Sequence, residues 1–146
     1  MSHVKQILTD LAALVATYPL AADVLTKVMW VPDVELENWK GGIIIAPESS
    51  AVEIVSRGCR KHTTIVTIAV LHPLSSARAD DMANTTVDSH HALSEQIASS
   101  LLGSRLTYQG AVCTAVERVF AANHWREYRL FGDFTRATIE HHTTGS

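Results

Sequence analysis

Apolar residues near the start of the chain recur with the spacing of a helix. They fall three and four positions apart, so they share one face of a helix. The members of this stripe are Val4, Ile7, Leu8, Leu11, Leu14 and Val15. The pattern predicts an amphipathic helix over residues 2–17, which ends before Pro19 because proline disfavours helical geometry in the residue that precedes it.

A second helix is predicted over residues 77–102, where apolar residues again return to one face. Asp80 and Asp81 fall in its first turn, where the helix dipole favours negative charge. Gly103 follows its last turn and is expected to stop it, since glycine readily adopts the left-handed geometry that ends helices.

Five stretches rich in β-branched and apolar residues predict strands. They are Val24–Val31, Ile43–Ala46, residues 62–71, Val112–Val119 and Phe131–His141. Both faces of 62–71 carry apolar side chains, which indicates a central strand covered on each side. Pro47 is expected to end the second strand. Residues 48–57 are predicted to form a loop, although Glu48 to Ser56 could also form one helical turn or an extended edge.

The predicted order is helix, three strands, helix, two strands. This order favours an α+β fold, with an antiparallel or mixed sheet of four to five strands and two main helices packed on one face. A length of 146 residues fits one domain. We expect that domain to span residues 1–142 and a flexible polar tail to occupy residues 143–146.

Composition narrows the classes of function. A formal net charge of −3 argues against a globally basic, sequence-specific nucleic-acid binder. Charged residues make up 18% of the chain, below the roughly 25% of an average soluble domain. Such a surface fits a subunit covered by partners, and it also fits an ordinary alanine-rich monomer. The start of the chain lacks a signal-peptide pattern and no apolar run is long enough to span a bilayer, so we expect a soluble protein that stays where it is made.

The residue types that usually carry catalysis or bind metals are not arranged for either. The eight histidines show no spacing that brings two imidazoles to one helix face. Cys59 and Cys113 form no CxxC motif and are expected to be reduced thiols. The chain has no nucleophile elbow and no phosphate-binding loop. The sequence therefore predicts no catalytic residues, no cofactor and no metal, and a protein that is not an enzyme.

Two short charged runs lead directly into predicted strands. Residues 56–62 precede the central strand and residues 125–131 precede the last one. Trp, Tyr and Arg supply much of the energy of buried protein contacts, so both runs are candidate subunit interfaces. The candidate interface residues are Trp39, Arg57, Arg60, Trp125, Arg126, Glu127, Tyr128 and Arg129.

These candidates have plainer interpretations, which stay open. Arg57 and Arg60 also fit a solvated approach to a strand. Trp39 and Trp125 fit equally well the capping of the ends of the core. The remaining large aromatic residues are predicted to lie in the core, and they are Trp30, Phe120, Phe131 and Phe134.

The order of these features resembles the tail-terminator and tail-completion proteins of long-tailed bacteriophages. The resemblance spans nearly the whole chain, although residues 103–124 carry no matching motif. The matching segments are the N-terminal apolar helix, Met29–Asp33, Ile43–Pro47, Ser56–Gly58 before the long strand, the second helix, and Trp125–Phe131 before the last strand.

The resemblance implies a structural virion protein that assembles in the host cytoplasm and ends up in the tail or neck. Such a protein forms a homo-oligomeric ring, commonly a hexamer, that caps the tail tube protein and docks the head-side connector, with DNA passing through its lumen. A ring joins one patch of a subunit to a different patch of the next. The arginines of the two charged runs could meet carboxylates, for which Glu35, Glu37 and Asp133 are candidates.

Three alternatives remain at this stage. Another phage neck or head-completion protein would use a similarly small fold. A dimeric ligand-binding or regulatory α+β domain would share the element order. A hydrolase that uses Cys59 has little support in the sequence.

Overall fold

The computed structural model of the protein describes residues 2–22, 24–29, 42–73, 91–120 and 130–144, and for residues 72–73, 120 and 130–132 it describes the backbone alone.

Helix α1 spans His3–Ala16. The side-chain oxygen of Ser2 accepts the backbone N–H of Lys5 at 3.2 Å, and so satisfies one of the donors left free at a helix start. The residues that α1 buries completely are Ile7, Leu8, Leu11 and Val15. The helix predicted over residues 2–17 and its apolar stripe are therefore confirmed.

Helix α2 is described over residues 91–101. It buries Leu93, Ile97 and Leu101. Gly103 follows with φ +81°, so the predicted glycine stop is confirmed. The predicted first turn, with Asp80 and Asp81, lies outside the described residues.

Five strands form one mixed sheet in the order β1-β2-β3-β5-β4. Their bounds are β1 Thr26–Val28, β2 Gly42–Ser56, β3 Cys59–Pro73, β4 Val112–Phe120 and β5 Leu130–Thr144. β1 pairs with β2 in parallel, and every other pairing is antiparallel. The predicted mixed sheet and the central position of β3 are confirmed.

The prediction that Pro47 ends a short strand before a loop is wrong. β2 continues to Ser56 and pairs with β3 along its whole length. A register shift between Pro47 and Ser49 marks a bulge, and a bulge tolerates a residue that has no backbone N–H to donate. The polar residues after Pro47 stay extended because β3 supplies hydrogen-bond partners that no local pattern reveals.

β3 and β5 are both longer than predicted. Thr143 and Thr144 pair with Arg60 and Cys59, where the sequence predicted the start of a polar tail. The hairpin that joins β2 to β3 turns at Arg57 and Gly58, and Gly58 has φ +81°, a conformation that glycine adopts without strain.

Both helices cover the same face of the sheet, as predicted. The hydrophobic core lies between the two helices and alternate residues of the strands, because side chains two residues apart in a strand lie on the same face of the sheet. Its strand members are Ile43, Ile45, Val66, Ile68, Val70, Cys113, Ala137 and Ile139.

The predicted aromatic core is partly corrected. Phe134 is only half-buried and lies on the opposite face of β5 from Asp133 and Thr135, which are buried toward the helices. Trp30 and the side chains of Phe120 and Phe131 lie outside the described residues.

Candidate subunit interface

At one end of the sheet three strands carry side chains that are exposed or half-buried, with the exception of His141. We call this end the sheet arm, and define it as Glu48–Ser56 of β2, Cys59–Thr63 of β3 and His141–Thr144 of β5. The β2 part is exposed throughout. Its apolar side chains are 58% exposed at Val52, 76% at Ile54 and 54% at Val55. Exposed apolar residues grouped in this way are typical of a surface that meets another protein.

Strand register assigns these side chains to faces of the sheet. Val52 pairs with His62 and Ile54 pairs with Arg60. His62 lies two and four residues before Thr64 and Val66, both buried beneath the helices. Val52 and Ile54 therefore continue the helix-covered face of the sheet outward into solvent.

The free edge of β2 adds backbone groups to this surface. β1 pairs with Ile43–Ile45 only, and in the described part of the chain no strand lies beside β2 beyond that point. An uncovered strand edge offers N–H and C=O groups to an added strand. The sheet arm thus presents both apolar side chains and unpaired backbone.

Two of the eight predicted interface residues fall within the described chain. Arg57 lies in the hairpin turn and Arg60 lies on β3, and both are exposed. The other candidates lie outside the described residues, and they are Trp39, Trp125, Arg126, Glu127, Tyr128 and Arg129.

The two charged runs reach the sheet at opposite ends. Cys59, in the first run, pairs with Thr144, whereas Leu130, in the second, pairs with Pro73. β3 has 15 residues, which is about 50 Å at roughly 3.3 Å per residue. Cys59 and Leu130 therefore lie at opposite ends of the sheet.

The suggestion that Asp133 meets an arginine of another subunit is wrong, because Asp133 is buried inside its own subunit. Its side chain is fully buried, and its Oδ2 accepts hydrogen bonds from Arg118 Nη2 at 2.8 Å and from His91 Nδ1 at 2.8 Å. Arg118 also reaches Glu95 of α2 at 3.6 Å. Asp133 therefore ties α2 to β4 and β5, and it is not available to an arginine of another subunit. Glu35 and Glu37 lie outside the described residues.

The sheet face opposite the helices carries a smaller ion-pair network. Arg136 Nε donates to Glu48 Oε2 at 2.8 Å and Arg136 Nη1 donates to Glu117 Oε2 at 3.3 Å. The hydrogen bond to Glu48 raises the pKa of Arg136. This network spans β2, β5 and β4, but its members are partly exposed, so solvent screens it.

The sequence did not predict a cluster of aromatic rings that lies at the inner side of the sheet arm. His62 and His141 are cross-strand partners, and their rings stack with centroids 4.5 Å apart. His3, at the start of α1, lies 5.1 Å from His62 and 5.4 Å from His141. Tyr108 closes the cluster, and its hydroxyl is hydrogen-bonded to His3 Nδ1.

The cluster lowers the pKa of two of its histidines, His62 and His141. His141 is 2% exposed, and neither ring nitrogen has a hydrogen-bond partner. Desolvation by burial, followed by repulsion from His62, His3 and His142, lowers the pKa of His141 to about 4. Desolvation and the neighbouring His3, Arg60 and His142 likewise lower the pKa of His62.

The arrangement does not make the cluster a metal centre. Within the ranges that the structure describes, no three His, Cys, Asp or Glu side chains are placed to hold one ion. The planes of His62 and His141 differ by only 9°, so their nitrogens lie side by side rather than pointing at a common centre.

The two cysteines differ in setting. Cys113 is buried in the core, and burial raises the pKa of its thiol, which disfavours the reactive thiolate. Cys59 is half-buried on the sheet arm. Neither is a nucleophile that this geometry activates.

None of the helices in the described ranges is both long and apolar enough to cross a membrane.

Comparison with known proteins supports the fold at low sequence identity. No family model matches the chain, and no curated protein sequence matches it. Among solved structures, the chain is similar to a protein in the virion of a native gene transfer agent particle, with a TM-score of 0.53 and 12% identity. The match covers 95% of this chain and 99% of that one. The two proteins therefore share the α+β fold over nearly their whole length.

Proposed function

We propose that this protein is a structural subunit of a phage-like virion, and that copies of it form a ring that caps the tail tube. The role is structural rather than catalytic. Its partners in this proposal are further copies of the chain, the tail tube protein and a head-side connector. Its location is the tail or neck of the particle.

The observation that carries the proposal is the sheet arm. Its apolar residues Val52, Ile54 and Val55 are exposed in the isolated subunit, and covering them in an assembly would be favourable. The similar protein occurs in a virion particle. Both observations favour an assembly subunit.

The points at which the two charged runs enter the sheet support a ring rather than a two-fold dimer. A dimer uses one patch twice, whereas a ring joins two different patches. The sheet arm and the start of β5 lie at opposite ends of β3. We infer that the arm of one subunit, with Arg57 and Arg60, meets the surface of the next subunit that contains Arg126 and Arg129.

Native mass tests the proposal. We would measure the mass of the purified protein by light scattering at low and moderate salt, alone and with tail tube protein. The proposal predicts a closed ring of about six copies, formed alone or on the tube. A stable two-fold dimer that ignores the tube would contradict it. A ring that binds the connector but not the tube would assign the protein to another position in the neck.

A further inference from the structure

A groove lies beside the histidine cluster at the sheet arm. It has a volume of about 510 Å³. α1 contributes His3, β3 contributes Arg60 and His62, and the last three residues of β5 also line the groove. The remaining lining residues are Gln109, His142, Thr143 and Thr144.

The lining supplies hydrogen-bond donors and positive charge. It includes one arginine, three histidines and two threonines, but no carboxylate. Among the described residues no carboxylate forms an ion pair with Arg60. Helix α1 starts at the groove with no acidic residue in its first turn, so its positive dipole end is not offset by a nearby side chain.

The carboxylates of neighbouring elements are engaged elsewhere. Asp10 of α1 accepts the backbone N–H of Tyr108 at 2.7 Å. Glu140 of β5 pairs with Lys61 at 3.3 Å. An anion that entered the groove would therefore face Arg60 and the imidazoles without a competing internal carboxylate.

A buried imidazole lies behind the lining of the groove. His141 stacks on His62 and contacts His3, both of which line the groove. It is 2% exposed and makes no hydrogen bond through either nitrogen. Buried polar groups are normally satisfied, and an exception calls for an explanation such as a missing ion. An anion in the groove would lie beside His62 and His3, the two rings that His141 contacts, and its negative charge would favour a proton on this cluster.

We propose that the groove binds an oxyanion, such as a sulfate, phosphate or carboxylate group. Arg60 supplies the charge and the rings of His62 and His3 supply hydrogen-bonding nitrogens, while the hydroxyl of Thr143, which is 2.9 Å from His62 Nε2, supplies a further hydrogen bond. Binding takes up protons, because the anion stabilises imidazolium. Affinity therefore rises as the pH falls.

The oxyanion has two sources with the same chemistry. It could be a small free ion, or a glutamate or aspartate side chain of another virion protein. The sheet arm is also the surface that we propose to meet the next subunit. The anion site does not depend on that proposal, however, since it can be measured on monomeric protein.

We would follow the imidazole resonances by NMR while adding sodium sulfate at constant ionic strength. Sulfate stays a dianion throughout the useful pH range. We expect saturable shifts for His3 and His62, with binding several-fold tighter at pH 6 than at pH 7.5. Arg60→Gln should weaken binding about tenfold or more, since a hydrogen bond to a charged group is lost. Arg57→Gln, which removes the same charge from the adjacent turn, should leave binding nearly unchanged.

A second arm of the experiment identifies the source. A capped peptide with one glutamate is compared with its glutamine counterpart. Saturable shifts with the glutamate peptide at lower concentration than with sulfate would indicate a protein partner, and the reverse would indicate a free ion. The proposal would be overturned by chemical shifts that change linearly with the concentration of sulfate and of both peptides, without saturation. The changes would also have to be equal in the wild type and in Arg60→Gln. Because ring formation is measured separately by light scattering, failure of one proposal leaves the other standing.

Discussion

At the scale of single residues, Asp133 is the side chain whose loss should cost most stability. It is fully buried and accepts from both Arg118 and His91. Removing one partner of a buried ion pair costs about 3–5 kcal/mol. We expect Asp133→Asn to lower the free energy of unfolding by about 3 kcal/mol, at the lower end of this range. The loss is limited because Arg118 is still partly exposed.

Urea denaturation gives the free energy of unfolding for this comparison. The matched control is Glu117→Gln, which removes an acidic partner from Arg136 at the exposed face of the sheet. Exposed pairs contribute about 0–1 kcal/mol. Equal losses in the two variants would contradict the structural role given to Asp133.

His141 makes stability depend on pH. Its pKa is about 4 in the folded protein and near 6.5 in an unfolded chain. Below pH 6.5 the unfolded state binds the proton and the folded state does not, so the free energy of unfolding falls as the pH drops from 6.5 to 4. The loss should be on the order of 2–3 kcal/mol.

Variants isolate the histidine that causes this dependence. His141→Leu should flatten the stability profile between pH 6.5 and 4, whereas His142→Leu, at an exposed position on the same strand, should keep most of it. Thermal denaturation at stepped pH measures both. An unchanged slope in His141→Leu would show that other groups cause the acid sensitivity.

At the scale of elements, the junction between β1 and β2 depends on a glycine. Gly42 has φ +151°, and an added Cβ would lie 2.7 Å from the carbonyl oxygen of Leu25. That oxygen accepts the N–H of Ile43, so it cannot move without breaking the junction. We expect Gly42→Ala to destabilise the protein by about 2–4 kcal/mol, which combines backbone strain with a steric clash.

Gly103 provides the control for this substitution. It has φ +81°, but an added Cβ would meet nothing within 4 Å. Gly103→Ala should therefore cost only the strain of the left-handed conformation, about 1–2 kcal/mol. If Gly103→Ala proved the more harmful variant in urea denaturation, the close approach at Leu25 would not matter.

Elements with their own periodic pattern could be predicted from the sequence. The stripe of α1 and the apolar faces of β3 specify their conformation locally, and the order of helices and strands specified an α+β fold. The second half of β2 could not be predicted. Its residues 48–56 are mostly polar or small, and only pairing with β3 keeps them extended.

The same limit applies to the candidate site. Arg57 and Arg60 could be identified because a charged run beside a strand is visible in the sequence. The histidine cluster joins residues 3, 62 and 141, which only the register of β3 with β5 and the packing of α1 bring together. One local signal was available, since His62 and His141 continue the alternation of buried positions along their strands.

At the scale of the whole molecule, the central claim is that each subunit carries two different contact surfaces. One is the sheet arm, and the other lies at the opposite end, where Leu130 begins β5. Complementation between two damaged subunits tests this claim most directly. One variant is Ile54→Asp, which places a charge in the exposed apolar surface of the arm. The other variant combines Arg126→Glu with Arg129→Glu.

The decisive measurement is the light-scattering mass of each variant alone and of their mixture, with Leu102→Asp, an exposed leucine beyond α2, as the control. We predict that each variant alone stays monomeric and folded, and that Leu102→Asp still assembles. The mixture should form one-to-one pairs, in which the intact arm of the Arg126/Arg129 variant meets the intact opposite end of the Ile54→Asp variant. A mixture that stays monomeric under conditions in which Leu102→Asp assembles, or an Arg126/Arg129 variant that still pairs with itself through its arm, would contradict the two-surface account.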